Sequence, residues 1–214
     1  MKKILFFVIV VFGLFASCTK SPEQKAEALI KEYLEKTLYH PDTYAPTETK
    51  LDSAFTPFDS PDFYEKTLKM AKLSMAVQKY DDEVKQAQSE VSLWSGPYQT
   101  SYERNSLQEA KEKYEIALEN KNKAIEESKK LGEILKKDIN KKGEFIGFKA
   151  FHSYRANNNA GQTIGGRAEF IFDKNMTKII ASYDLDSEES QAVAYIYKMM
   201  RGETSMADGI SIDD

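Results

Sequence analysis

Hydrophobic and polar residues follow two different periods along this chain, and the period changes near Gly143. Before Gly143, apolar residues recur every three or four positions, which is typical of amphipathic helices. The first such segment begins at the motif Ser21-Pro22-Glu23-Gln24. The motif supplies a capping serine, a proline in the first turn and a glutamine three residues after the serine. We therefore predict that a helix begins there.

A turn is predicted where this helix ends. Pro41 cannot continue a helix, and the residues that follow it, Asp42 and Thr43, favour turns. His40 is interpreted as a residue near the helix C-terminus, where a partial positive charge is favourable. A short strand is predicted around 51–55, because apolar and polar residues alternate there.

Two long helices are predicted in the middle of the chain. One begins at Ser60-Pro61-Asp62, and the other begins after Thr100, which forms a capping box with Glu103. The seam of each helix repeats in heptads. The seam residues are Met70, Leu73, Val77, Tyr80, Val84, Ala87, Val91 and Trp94 on the first helix, and Leu107, Ala110, Tyr114, Ala117, Ala124, Leu131 and Leu135 on the second.

The short connection SGPYQTS requires these two helices to lie antiparallel. The predicted register sets Ala87 against Tyr114 and Val77 against Ala124, so that large residues meet small ones. At 1.5 Å per residue, the resulting α-hairpin is roughly 50 Å long.

From Gly143 the period is two, which predicts an antiparallel meander. Asp173-Lys174-Asn175 is a tight connection between the second and third strands, and a longer loop joins the first and second. A last helix is predicted to begin near Ser187 and to end at Gly202. The three predicted strands are FIGFKAFHSYR, GGRAEFIF and MTKIIASYD.

These elements predict an α+β fold, in which N- and C-terminal helices cover a small antiparallel sheet and a long antiparallel coiled-coil α-hairpin is inserted. The predicted segments are a lipoprotein signal peptide at 1–17, a lipid-anchored linker at 18–20, an α+β head at 21–57 and 143–202, the hairpin at 58–142 and a flexible acidic tail at 203–214.

The N-terminus is typical of an export signal. Lys2 and Lys3 precede the uncharged run from Ile4 to Phe15, which is shorter than the about 20 apolar residues that span a bilayer. The run leads to Cys18, the only cysteine of the chain. The stretch resembles a bacterial lipoprotein signal, which implies cleavage before Cys18 and leaves this cysteine as a lipid-modified N-terminus. An ordinary signal peptide is the alternative.

Composition and motifs argue against several functions. The net charge of −4 offers no general attraction to nucleic acid or to anionic lipid. The chain has only two histidines, no ligand spacing typical of zinc and no nucleophile elbow. AGQTIGGR lacks the P-loop pattern. We therefore predict no metal, no cofactor and no enzymatic activity, and we interpret His152 as a packed, hydrogen-bonded core histidine.

Two surfaces are candidate binding sites. Trp94, Tyr98 and Tyr102 gather where the long helices meet, and aromatic residues of this kind are favoured in binding hot spots. They form either a docking surface or a plug that closes the hairpin. The second candidate is a ligand-binding or inhibitor site made by Tyr154, Arg155 and Asn157 on the sheet face, together with the 156–166 loop. A hydrolase with a cryptic site is a third possibility.

Several segments of the chain are similar to those of one protein family. KTLYHPDTY, LDSAF with FDSPDFYEKTL, WSGPYQ and FIGFKAFHSYRANNNAG resemble uncharacterised lipoproteins from Gram-negative gut anaerobes. The resemblance implies an envelope lipoprotein held in a membrane by acyl chains, and it supplies no activity. An interaction protein whose hairpin is presented to an envelope protein partner is the function we expect. No aspartate follows Cys18, which favours the outer membrane over the inner membrane. No acidic run follows Cys18 either, which favours the periplasmic face over the cell surface.

Overall fold

The computed structural model describes residues 20–97 and 99–203. The predicted signal peptide, Cys18, Tyr98 and nearly all of the predicted tail lie outside these residues. The described residues form four helices and four strands. In chain order they are α1 (Pro22–Thr37), β1 (His40–Phe55), α2 (Pro61–Trp94), α3 (Ser101–Ile139), β2 (Phe145–Asn157), β3 (Thr163–Phe172), β4 (Ile179–Asp184) and α4 (Glu188–Met200).

The four strands form one antiparallel sheet in the order β1-β2-β3-β4. The predicted α+β class and the meander from β2 to β4 are therefore confirmed. The loop between β2 and β3 is shorter than predicted, because the two strands stay paired as far as Asn157 and Thr163.

Local capping starts the helices where the sequence predicts. The Ser21 hydroxyl accepts a hydrogen bond from the Gln24 amide, and the Gln24 side chain accepts one from the Ser21 amide. Thr100 and Glu103 form the same reciprocal pair before α3. Each box satisfies two amide groups that a helix N-terminus otherwise leaves without partners. Both predicted capping boxes are confirmed.

The structure divides into two compact units, and the first contains 20–52 and 147–182 of the described residues. Its core lies between α1 and one face of the sheet, so the prediction that the N-terminal helix covers the sheet is confirmed. Ala26, Ile30 and Leu34 of α1 pack against Ala150, Ala168, Phe170 and Phe172 of the strands.

Strand β1 is longer than predicted. The sequence predicted a turn at Pro41 to Thr43, but β1 begins at His40 and includes these residues. β1 is an edge strand. Proline, which has no amide hydrogen to donate, is tolerated at an edge. The Thr43 hydroxyl donates to the His40 carbonyl at 2.7 Å and accepts from the Asn157 amide at 2.8 Å. His40 therefore begins a strand and is not part of the last turn of α1.

The second unit contains residues 53–146 and 183–203 of the described chain, including both long helices. Ion pairs between α2 and α3 show that the helices run antiparallel. As the residue number increases along α2, the number of its partner on α3 decreases. The pairs are Lys66 with Asp138, Asp81 with Lys121 and Glu90 with Lys113. Under the predicted register Asp81 would face Asn120, one residue from its observed partner.

Along α3 the buried side chains keep the predicted seven-residue spacing. Ala110, Ala117, Ala124 and Leu131 are buried, as is Leu135 near the end of the helix. Lys121 lies four residues after Ala117 and three before Ala124, on the same side of the helix, and it bonds the Asp81 carboxylate at 2.5 Å. The Lys121 ammonium, followed by that of Lys85, lowers the pKa of Asp81 to about 2.

Helix α4 also differs from the prediction, which placed it over the sheet with α1. It belongs to the second unit, where the Tyr197 ring stacks on Phe63 of α2 at 5.6 Å between centroids. Tyr197 and Met200 pack against a cluster that includes Leu131 and Leu135 of α3. An amphipathic period shows which face of a helix is buried, but several apolar surfaces can cover that face. The predicted division into head and hairpin insertion stays a prediction.

Candidate functional site

The connection between the long helices presents apolar side chains to solvent. Leu93 is 72% exposed and Tyr102 is 71% exposed, while Trp94 is half-buried. The Trp94 and Tyr102 rings meet edge to face, with 6.0 Å between their centroids and 84° between their planes. We call Leu93, Trp94 and Tyr102 the tip cluster. Trp94 and Tyr102 were candidates from the sequence, and the structure brings them together.

Local hydrogen bonds hold the connection in this conformation. The Gln99 side-chain amide donates to the Trp94 carbonyl at 2.5 Å, and the Ser95 hydroxyl donates to the Val91 carbonyl at 2.6 Å. The capping box at Thr100 then starts α3. These bonds span only a few residues each, so they hold the connection locally.

Charged residues next to the tip cluster are engaged within the protein. Glu90 pairs with Lys113 at 3.2 Å. The Glu103 carboxylate accepts a hydrogen bond from the Thr100 amide at 2.6 Å, and this amide lowers the pKa of Glu103. One guanidinium nitrogen of Arg104 contacts the Ser101 hydroxyl at 3.4 Å. The charges at the base of the tip cluster therefore have partners on the same two helices or in the turn.

At this end of the helices, one predicted residue is not described and one exposed residue was not predicted. Tyr98, the third aromatic candidate, lies outside the described residues. Leu93 was missed, although a signal exists in the sequence: it is apolar, and it falls outside the heptad seam that carries Val91 and Trp94. An apolar residue off the buried face of a helix points to solvent unless a second surface covers it.

The other predicted site is not assembled on one face. The Tyr154 ring lies in the core, stacked with His152 at 5.8 Å between centroids and packed so closely on Gly166 that a Cβ there would lie 2.6 Å from the ring. Arg155 is exposed, and neighbouring residues in a strand point to opposite faces. Asn157 is engaged by the Thr163 hydroxyl, which donates to its side-chain oxygen. Tyr154, Arg155 and Asn157 therefore do not form one binding surface: the first packs in the core, the second is exposed and the third bonds β3.

His152 lies in the core with both ring nitrogens engaged, as the sequence predicts. It is 1% exposed, and its Nε2 and Nδ1 atoms each lie 3.0 Å from a hydroxyl oxygen, on Tyr44 and Thr49 respectively. Burial lowers the pKa of His152, because the charged ring would lose its hydration. Through these two contacts the imidazole joins β1 to β2.

A cleft of about 510 Å³ opens above this histidine in the first unit. Tyr44 and His152 lie on its inner side, and the exposed charged residues Lys20, Glu27 and Lys31 border it. The cleft mixes both signs of charge with apolar surface. The remaining lining residues are Gln24, Ala28 and Pro46.

The stability of the protein should depend on pH through His152. The folded state holds this ring neutral, so unfolding is favoured once the unfolded chain begins to bind the proton near the ordinary pKa of 6.5. We expect the free energy of unfolding to fall as the pH is lowered from about 7 to about 5, and to level off below the pKa of the folded state.

Urea unfolding at a series of pH values measures this dependence, with His152→Gln as the comparison. The substitution should lower stability at neutral pH and flatten the profile across this range. An unchanged slope in His152→Gln would show that His152 is not responsible.

Neither metal ligands nor a membrane-spanning helix were found in the described part of the chain. Within residues 20–97 and 99–203, no three His, Cys, Asp or Glu side chains are grouped so as to hold a metal ion. No helix in these ranges combines the length and apolar character needed to cross a bilayer. No protein-family model, curated protein or solved structure matches this chain, so the lipoprotein family resemblance stays a prediction.

Proposed function

We propose that this protein is a lipid-anchored envelope protein that acts by interaction and not by catalysis, with the tip cluster as its docking end. The observation that carries the proposal is the exposure of Leu93 and Tyr102 beside the half-buried Trp94 ring. Exposed apolar side chains that are grouped together favour association, because docking removes them from water. Trp and Tyr are also the side chains that most often dominate docking energies.

The anchor is proposed at Cys18, on the periplasmic face of the outer membrane. The uncharged run before Cys18 supports export, and one cysteine placed directly after it supports acylation. Two or more acyl chains hold a protein on a bilayer far more firmly than one. Residues 18–20 span roughly 10 Å at most, so the start of α1 lies close to the membrane in this proposal.

The two long helices are proposed to form a coiled-coil hairpin that carries the tip cluster. Support comes from the seven-residue spacing of buried Ala110, Ala117 and Ala124 on α3. Small residues at this spacing let two helices approach closely, and the ion pairs between Asp81 and Lys121 and between Glu90 and Lys113 fit one antiparallel register. A hairpin of this kind is stiff over roughly 50 Å and holds its end away from its base.

A crosslinking experiment tests whether the tip cluster docks. A photoreactive phenylalanine analogue replaces Tyr102 in one protein and Ile116 in another, and intact cells are irradiated. Both positions are exposed on the same helix, at 71% and 60%, but Ile116 lies away from the tip cluster. We expect adducts, with protein or with lipid, from position 102 and far fewer from position 116.

The alternative is that these aromatic residues only close the hairpin. Tyr102→Ala separates the two roles, because a change at an exposed site usually alters stability by less than about 1 kcal/mol. We expect Tyr102→Ala to keep the wild-type melting temperature. Equal adducts from positions 102 and 116, or none from 102 combined with a large loss of stability in Tyr102→Ala, would contradict the docking role.

A further inference from the structure

The segment that carries the tip cluster is free of charge. The twelve residues from Val91 to Tyr102, VSLWSGPYQTSY, contain no acidic, basic or histidine side chain, whereas 30% of the whole chain is Asp, Glu, Lys or Arg. Apart from the apolar and aromatic residues, the segment contains only glycine, small hydroxyl side chains and Gln99, whose amide is bonded to the Trp94 carbonyl. The composition changes abruptly where the charged helices begin.

The uncharged cap extends over about one helical turn at the end of α2 and is shorter at the start of α3. Glu90 lies four residues before Trp94, which corresponds to about 6 Å along α2. On the other helix, Glu103 and Arg104 follow Tyr102 directly. The carboxylates of Glu90 and Glu103 are held by Lys113 and by the Thr100 amide, as described above, so neither is left unpaired beside the cap.

These features fit a lipid surface better than a protein surface. Trp and Tyr are enriched at membrane interfaces, where an apolar ring and a polar edge are both accommodated, and exposed leucine gains by entering the acyl boundary. Interfacial segments bury their apolar side chains by about 5–10 Å, which is comparable with the uncharged length at the end of α2. Protein docking surfaces are enriched in arginine. The cap contains no arginine, and Arg104 beside it contacts Ser101.

We propose that the tip cluster inserts into the interfacial layer of a phospholipid bilayer whose surface is zwitterionic. This inference rests on the proposed function, in which the tip cluster is the docking end, and it identifies the partner of that end. A zwitterionic surface is chosen because the cap has no charge and the chain as a whole is acidic, with a net charge of −4. Neither property attracts anionic lipid.

Trp94 provides the test, because it is the only tryptophan of the chain and its fluorescence reports on the tip alone. The processed, acylated protein is reconstituted by its own anchor into phosphatidylcholine vesicles. Lipids with brominated acyl chains are placed either in those vesicles or in a second population added afterwards. We expect the Trp94 emission to shift to shorter wavelength and to be quenched in one of these two arms.

Two matched substitutions show whether the quenching comes from insertion. Leu93→Asp places a charge in the cap and should abolish the quenching. Ile116→Asp places the same charge at an exposed apolar site on α3, away from the tip cluster, and should leave the quenching unchanged. Circular dichroism establishes that both variants keep the wild-type helix content. If Leu93→Asp unfolds, Tyr102→Asp replaces it with the same expectation.

The outcomes separate this inference from the proposed function. Absence of quenching in both arms, together with protein adducts from position 102 in cells, overturns lipid insertion and leaves the docking role in place. Absence of quenching together with no adduct of any kind from position 102 overturns both. Quenching that persists in Leu93→Asp, or that is equally lost in Ile116→Asp, also overturns the inference, because the apolar cap would then not be its cause.

Discussion

Replacing Cys18 by serine is expected to abolish the labelling of this protein with a fatty-acid precursor and to release it from the membrane fraction. The reason is chemical: the thiol of Cys18 is the only thiol in the chain, and a serine hydroxyl does not replace it in lipoprotein acylation. Each methylene buried in a bilayer contributes about 0.8 kcal/mol, so loss of the acyl chains removes the dominant membrane attachment. Metabolic labelling followed by fractionation of the cells measures both effects.

Ser21→Ala is the matched control for Cys18→Ser. Ser21 lies three residues further along the chain and caps α1, so its loss should cost about 0.5–2 kcal/mol of stability without affecting acylation. Equal labelling of wild type and Cys18→Ser, or no labelling of the wild type, would contradict acylation at Cys18.

Phe170→Ala is expected to be among the most destabilising single substitutions in the first unit, lowering the free energy of unfolding by about 3–5 kcal/mol. The Phe170 side chain is fully buried between α1 and the sheet. Its ring meets Tyr33 edge to face, with 5.5 Å between centroids, and lies 6.2 Å from the His152 ring. Truncation removes these contacts and leaves a cavity in the core.

Ile164→Ala serves as the control, because Ile164 is on the same strand and is half exposed. Its side chain loses little buried surface, so its cost should stay within about 0.5 kcal/mol. Urea unfolding of both variants gives the comparison. Similar costs at the two positions would show that the core does not lie where α1 covers the sheet.

Local features of this protein follow from sequence because the interactions that produce them span only a few residues. The start of α1 depends on Ser21 and Gln24, and the start of α3 depends on Thr100 and Glu103. The spacing of Ala110, Ala117 and Ala124 predicts which face of α3 is buried. The tip candidates Trp94 and Tyr102 could be identified for the same reason, since a short connection between antiparallel helices brings its two ends together.

Other features depended on contacts between distant parts of the chain. The extent of β1 reflects its place at the sheet edge, where prolines are tolerated and where Tyr44 and Thr49 bond His152 across more than a hundred positions of sequence. No pattern of nearby residues encodes these long-range contacts.

The sequence by itself determined where the capped helices begin, the buried face of α3 and the meeting of Trp94 with Tyr102, because capping and periodicity act within one or two turns. On α2 it predicted the buried Val84 and Ala87 but not the buried Phe63, Thr67 and Ala71. Only the tertiary structure decided that α4 packs on α2 and α3 and that Leu93 stays exposed. The physical reason is that hydrophobic burial is non-directional. An apolar face is buried by whichever complementary surface the rest of the chain brings to it, and that choice is made by the whole fold.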